Sequence, residues 1–192
     1  MKHVKIFIFY LLVLSISFAE EKNNENYLSF SQSDNNFAIG ILAEWANGSG
    51  FGVPLVYDRG ACGGMFSFGG EMRFWWDKYS SHSFKYSSKE LTKFGFAPNF
   101  RFMFHPFGMP VLDRQVIVAK VLDPYAGFKF GFSLINYDKN DPRYINDSHR
   151  KYDFHPVFTW FATGIRWYFK ENIALWTEIS NYNFSLGFNF KF

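Results

Sequence analysis

At 192 residues the chain has room for one domain, and the length suits a small barrel. Twenty Lys and Arg against seventeen Asp and Glu leave a formal charge of +3, and Lys2 and Lys5 fall in the first residues, so no overall electrostatic case for nucleic-acid binding exists. Aromatic residues are 23% of the chain but are diluted among polar ones, so no later segment reads as a membrane-spanning helix, and a single cysteine excludes an internal disulfide.

Lys2, His3 and Lys5 precede an apolar run from Ile6 to Ile16, and Ser17-Phe18-Ala19 supplies small residues after it. This is the pattern of a secretory signal peptide cleaved after Ala19. The run is about half of the ~20 residues a spanning helix needs. Cys62 is too far along to carry a lipid anchor and reads as a small buried residue, with a free thiol as the alternative. The expected organisation is a signal peptide over 1–19, a polar segment over 20–36 and a barrel over 37–192.

A strand turns successive side chains to opposite faces, so a large apolar residue at every second position marks a strand with one greasy side. Phe37, Ile39, Ile41, Ala43 and Trp45 alternate with Ala38, Gly40, Leu42 and Glu44, giving a first strand. Ala46 to Ala61, rich in glycine, reads as a loop. From Gly63 to Trp76, Phe66, Phe68, Met72, Phe74 and Trp76 oppose Ser67, Gly69, Glu71, Arg73 and Trp75. A third strand over Tyr79–Ser87 is required to return the chain. Phe94 to His105 alternates most cleanly; Pro98 inside it cannot donate to a ladder and predicts a bulge. Tyr125–Ile135 and His155–Phe169 supply strands five and six. Lys170-Glu171-Asn172 forms a tight turn, Ile173–Ser180 a seventh strand, and Tyr182 to Phe192 an eighth.

No amphipathic helix of useful length interrupts this series. The predicted fold is all-β: a closed antiparallel up-and-down transmembrane barrel of eight strands. Closure satisfies the backbone polar groups that lipid cannot. Glu44, Glu71, Arg73, Arg101, Lys129, Arg166 and Glu178 all fall on the small or polar face of their strands. An Arg or Lys at the bilayer midplane costs ~2–4 kcal/mol, so in a membrane barrel these seven face the lumen. An eight-stranded barrel is only wide enough for side chains, so both signs are expected to pair there as a lumen charge network. The short turn at 170–172 suits the periplasmic side, whereas 46–61 and 137–153 suit outer loops. The long connection 108–122 breaks that rule, since strand parity puts it beside the short turn.

With the strands laid out, Leu122-Asp-Pro-Tyr-Ala-Gly-Phe-Lys-Phe-Gly131 is similar to the Pro-Tyr-hydrophobic-Gly strand of the small outer-membrane β-barrel family that includes the OmpX-like and OmpW-like proteins and the opacity-type, porin-family surface proteins. Gly164-Ile-Arg-Trp-Tyr-Phe-Lys-Glu-Asn172 resembles its Gly-hydrophobic-Arg-Tyr strand and turn. Trp176-Thr-Glu178 and Ser185 to Phe192 resemble its last hairpin. The likeness implies location in the bacterial outer membrane, with membrane lipid and the assembly machinery as partners. Tyr182, Phe184, Leu186, Phe188, Phe190 and Phe192 would form the terminal signal read by that machinery. The family's motifs specify architecture and not activity.

Chemistry is hard to find. Ser81 and Ser83 point to the face opposite His82, so that neighbour cannot activate them. His105, His149 and His155 show no metal-ligand spacing and read as loop or rim residues. No catalytic residue, cofactor or metal is expected. The sequence therefore predicts a structural or surface-interaction protein that meets an extracellular ligand through loops 46–61 and 137–153. A narrow pore for small or hydrophobic solutes is the alternative, ahead of a lipid-modifying enzyme or a secreted lipid-binding barrel.

Overall fold

The computed structural model describes residues 34–45, 50–80, 90–108, 121–137 and 152–192. The signal peptide expected over 1–19 and most of the expected polar segment lie outside them, as do Ser81, His82, Ser83 and His149. Eight strands follow in chain order: β1 (Asn35–Glu44), β2 (Gly50–Ala61), β3 (Phe66–Ser80), β4 (Glu90–Phe104), β5 (Leu122–Tyr137), β6 (Tyr152–Lys170), β7 (Ile173–Ser180) and β8 (Asn183–Lys191). Each is antiparallel to the next, and β1 pairs with β8 to close the barrel. Paired hydrogen bonds between Asn35 and Phe192, at 3.0 and 2.9 Å, carry the closure to the last residue.

The all-β closed barrel is the fold the alternation predicts, yet two of its strands differ from those expected. Ala46–Ala61 is not a loop: Gly50–Ala61 forms β2, and only 46–49 connects it to β1. Glycine and proline hid it. Gly52 is required by close approach, because a Cβ there would lie 2.0 Å from the Phe74 carbonyl oxygen on β3. Conversely, Tyr79 and Ser80 end β3, and the rest of the expected third strand falls outside the described residues. The strand β3 begins at Phe66 because Cys62–Gly64 form a 3-10 turn with positive φ at all three residues. Cys62 is exposed in that turn, not buried.

Pro98 marks no bulge. It pairs with Met72 on β3, and the β4–β5 ladder omits Ala97 and Pro98 while keeping one register on either side. Pro54 interrupts the β1–β2 ladder in the same way. The register shifts occur instead between Gly127 and Lys129 and between Tyr168 and Lys170. At the first, β6 holds one extra residue, so Thr159 above it and Ala162 below it both turn inward. Continuous alternation along 155–169 therefore fails at that point.

The two faces have opposite chemistry. Inward side chains of Arg101, Lys129, Arg166, Glu71 and Glu178 are at most 2% exposed, whereas outward Phe51, Phe100 and Ile41 are 74%, 67% and 67% exposed. Neighbouring outer rings pack across strands, with Phe68 and Phe102 5.0 Å apart, Phe102 and Phe128 5.3 Å, and Phe100 and Phe130 5.4 Å. Such pairs contribute roughly 0.5–1.5 kcal/mol each beyond burial.

One end of the barrel carries both chain ends of the sheet, the 62–65 and 171–172 turns and the 105–121 connection. There Phe107 packs on Val121, Leu122, Tyr168 and Ala174, an apolar layer beneath the charged lumen. The other end carries 46–49, 81–89, 138–151 and the two-residue turn Asn181–Tyr182. The β6–β7 ladder starts only at Ala162, so residues 152–161 of β6 pair with β5 alone and rise past the short β7–β8 turn.

Candidate functional site

Strand parity directs one polar residue after another into a lumen too narrow for water-separated charges, and the side chains meet. A continuous chain runs Glu71, Lys129, Glu178, Arg101, Asp58, Arg166, Asp123, His105, Ser67. Lys129 Nζ donates to Glu71 Oε2 at 2.8 Å and also binds Glu178. Arg101 reaches Glu178 Oε2 at 2.8 Å through Nη2 and Asp58 Oδ1 at 3.0 Å through Nε. Arg166 binds Asp58 and, through Nη1, Asp123 Oδ2 at 3.1 Å. Tyr125 stands among them, its hydroxyl donating to Glu178 at 2.9 Å and accepting from the Trp176 indole at 2.6 Å. The Arg166 guanidinium lies 4.9 Å from the Tyr125 ring centre. Below, Asn36 accepts from Tyr168 at 3.0 Å and from Asn189 at 2.6 Å, tying β1 to β6 and β8.

Of the seven charged residues singled out in the sequence, Glu71, Arg101, Lys129, Arg166 and Glu178 lie in this chain. Glu44 and Arg73 lie nearer the loop-bearing mouth, where Arg73 Nη1 is 3.5 Å from Glu44 Oε2 and Lys93 Nζ is 2.9 Å from Asp77 Oδ2. Asp58 was missed because its strand read as a loop; the alternation Leu55, Tyr57, Arg59 against Val56, Asp58, Gly60 was the signal available. Asp123 precedes the expected start of its strand. Asp77 and Lys93 pair across β3 and β4 just beyond the strand limits expected at Trp76 and Phe94.

His105, read as a rim residue, is wholly buried. Its Nε2 is 2.9 Å from Ser67 Oγ and its Nδ1 is 2.7 Å from Asp123 Oδ1. This has the connectivity of a serine, a base and an orienting carboxylate. Ser67 and His105 are 0% exposed, however, and Asp123 is shared with Arg166. A nucleophile must reach both a substrate and an oxyanion-binding group. Here the three side chains join β3, β4 and β5 inside the wall of a packed lumen. Among the described residues, no group of three His, Cys, Asp or Glu side chains is arranged to hold a metal ion. His155 faces the mouth, its side chain 57% exposed.

Above the charged chain the lumen opens into a cavity of about 380 Å3 at the loop-bearing mouth. Glu44, Arg73, Trp75 and Lys93 form one side of it, and Tyr137, His155, Pro156 and Tyr182 another. Tyr182 therefore does not share the outer face of β8 with Phe184, Phe188, Phe190 and Phe192; it belongs to the preceding turn, where its carbonyl accepts from the Trp45 amide at 3.0 Å. The four phenylalanines are exposed on the outer wall.

No family model matches the sequence, and no curated protein is significantly similar to it. Solved structures do match. The outer membrane protein OprG from Pseudomonas aeruginosa is similar over 87% of this chain and 99% of its own, with 8% sequence identity and a TM-score of 0.62. The chain has the fold of the small outer-membrane barrels. Ail, the attachment invasion locus protein of Yersinia pestis, solved in complex with the heparin analogue sucrose octasulfate, is similar over 84% of this chain and 99% of its own at 10% identity and a TM-score of 0.50. At such identities the outer-membrane barrel fold is what is shared.

Proposed function

We propose that this protein is a small outer-membrane barrel that stands in the bilayer as a closed, non-conducting cylinder and acts through the surface at its loop-bearing mouth. The observation that carries this reading is the inversion of its two faces: charges line the inside and large apolar side chains cover the outside. In water such a wall would be an extended sticky patch, whereas in lipid it is the required surface. The signal-peptide pattern over 1–19 supports export. The alternating aromatics of β8 are proposed as the assembly signal. Charges on the axis are held by partners from β2 to β7, which supports a plugged lumen over a pore. The mouth with connections 46–49, 81–89 and 138–151 is assigned to the cell exterior, so an extracellular partner meets those segments and the strand tips beside them. Residues 50–61, being strand, drop out of that surface.

The test combines fractionation, gel mobility with and without boiling, and planar-bilayer recording. The proposal expects recovery in the outer membrane, a heat-dependent shift and no steady conductance. A soluble periplasmic protein with no shift would overturn the membrane reading. Steady conductance that changes when Arg101 or Glu71 is replaced would favour the pore.

A further inference from the structure

We propose that the outer wall holds one phospholipid at a fixed place, with an acyl chain in a furrow across β2, β3 and β4 and its phosphate on Arg59; the site deepens the membrane reading above and rests on it. A glycine marks the furrow. At Gly40, Gly52, Gly69 and Gly127 a Cβ would lie 2.2, 2.0, 1.8 and 2.0 Å from a carbonyl oxygen of the neighbouring strand, so the packing of the sheet itself requires glycine there. Gly70 has no such reason. A Cβ at 70 would meet only the Asn99 carbonyl oxygen at 3.8 Å, an ordinary contact, and the φ of Gly70 is not positive. Phe68 and Met72 on either side of it are 54% and 51% exposed, whereas Glu71 faces the lumen, so the missing side chain leaves its space on the outside of the barrel.

The register shows what surrounds that space. Gly70 pairs with Tyr57 on β2 and with Phe100 on β4, and in the adjacent outer row Leu55, Met72 and Pro98 pair in turn. The gap at Gly70 and the compact ring of Pro98 are diagonal neighbours, and the four larger side chains stand around them. Together with Phe37 and Phe132 they bound a furrow of about 370 Å3, the small end of ligand pockets. Its outward side chains are hydrocarbon or thioether apart from the Tyr57 hydroxyl, which donates to Asn35 Oδ1 at 2.7 Å and so fixes that ring as a wall. A polar group seated here would find no partner, which leaves a hydrocarbon chain as the occupant.

The charge beside the furrow identifies what the chain is attached to. Arg59 extends the outward row of Leu55 and Tyr57 toward the end that carries the 62–65 turn, and it is exposed. It pairs with Phe68, which makes it a diagonal neighbour of Gly70 at ~7–8 Å. Among the described residues no carboxylate forms an ion pair with Arg59. A guanidinium at the rim of an apolar wall reaches headgroup depth, and its fork matches a phosphate with two parallel hydrogen bonds. Arginine and furrow together fit a phosphate joined through a short link to a chain. Since Arg59 lies at the end opposite the mouth, the ligand is a phospholipid of that leaflet.

The experiment uses full-length protein stripped of lipid in an amine-oxide detergent, which carries no phosphate. Phosphatidylglycerol with a diazirine in one acyl chain is titrated in, photolysed, and its attachment mapped by mass spectrometry; diacylglycerol with the same chain is the phosphate-free control. Labelling of the peptides holding Leu55, Tyr57, Met72 and Phe100 is expected to saturate, while labelling along Phe184–Phe190 rises without saturating. Arg59→Gln and the diacylglycerol control should each raise the half-saturating concentration about fivefold, the effect of one interfacial cation. Gly70→Leu, whose Cβ has room, should fold and lose the saturable component. Even labelling of the whole wall overturns the site, as does saturation unchanged by Gly70→Leu. Equal half-saturation for the two probes, or for Arg59→Gln, overturns the phosphate assignment, and barrel-to-barrel crosslinks in place of lipid give the furrow to a second copy. The heat-dependent gel shift is run on every sample. If the shift persists without saturable labelling, only this inference falls; if the shift is absent, the membrane-barrel reading falls with it.

Discussion

Replacing Arg101 by leucine removes the central cation of the lumen. Arg101 is 2% exposed and makes polar contacts to two carboxylates, Asp58 at 3.0 Å and Glu178 at 2.8 Å. Breaking a buried ion pair by deleting one partner costs ~3–5 kcal/mol, because the remaining charge stays buried and uncompensated. Neither carboxylate is orphaned outright, since Asp58 keeps Arg166 and Glu178 keeps Lys129 and Tyr125. The expected loss is therefore near the lower end, about 3 kcal/mol, or roughly a hundredfold in the unfolding equilibrium. Urea unfolding of the vesicle-embedded protein, followed by disappearance of the fast-migrating band, measures it. Adding Asp58→Asn to Arg101→Leu should cost less than the sum of the two single changes, because residues in one network couple by ~0.5–3 kcal/mol. A loss under about 1 kcal/mol would match pairs screened by water. That result, together with additive single changes, would refute the dry lumen and reopen the pore.

The outer wall predicts the opposite sensitivity. Phe100→Arg puts a charge where a 67% exposed ring faces the proposed lipid and should cost ~2–4 kcal/mol of insertion, read as the folded fraction in vesicles; equal tolerance of Phe100→Arg and Phe100→Leu would mean the faces are misassigned. Phe192→Ser should lower outer-membrane levels while leaving export intact, and unchanged levels would remove β8 as the assembly signal. Gly95→Ala forces the Trp75 ring to shift and should lower the urea midpoint of the embedded barrel without abolishing the heat-dependent gel shift; an unchanged midpoint would mean that the indole does not pack on Gly95. Cys62, exposed in the turn at the end opposite connections 46–49, 81–89 and 138–151, should react with an impermeant maleimide only after the outer membrane is permeabilised; labelling of intact cells would invert the orientation.

Much of the architecture was open to reading because a strand's side-chain period is two and each face meets a different solvent. Along β4, Phe94, Phe96, Phe100, Phe102 and Phe104 separate cleanly from Arg101 and Met103, and the structure keeps that division. The rule weakens where backbone geometry overrides it. In β2 the residues Gly50, Gly52, Pro54 and Gly60 imitate a loop, and the reason for glycine at 52 is a neighbouring carbonyl visible only once β3 is paired. In β6 an extra residue shifts the phase halfway along, which no local pattern announced.

The candidate site divides in the same way. The sequence by itself determined that Glu71, Arg73, Arg101, Lys129, Arg166 and Glu178 share the side of the sheet away from the large apolar residues, because alternation alone assigns a face. It could not determine who pairs with whom. Arg166 meets Asp58 across 108 residues, and Tyr168 meets Asn36 across 132. Those partnerships depend on closure, on the stagger of neighbouring strands and on the length of each hairpin. The same factors bring Glu44, Trp75 and Tyr182 around one cavity at the mouth. Facing is a property of one strand, and meeting is a property of the closed sheet.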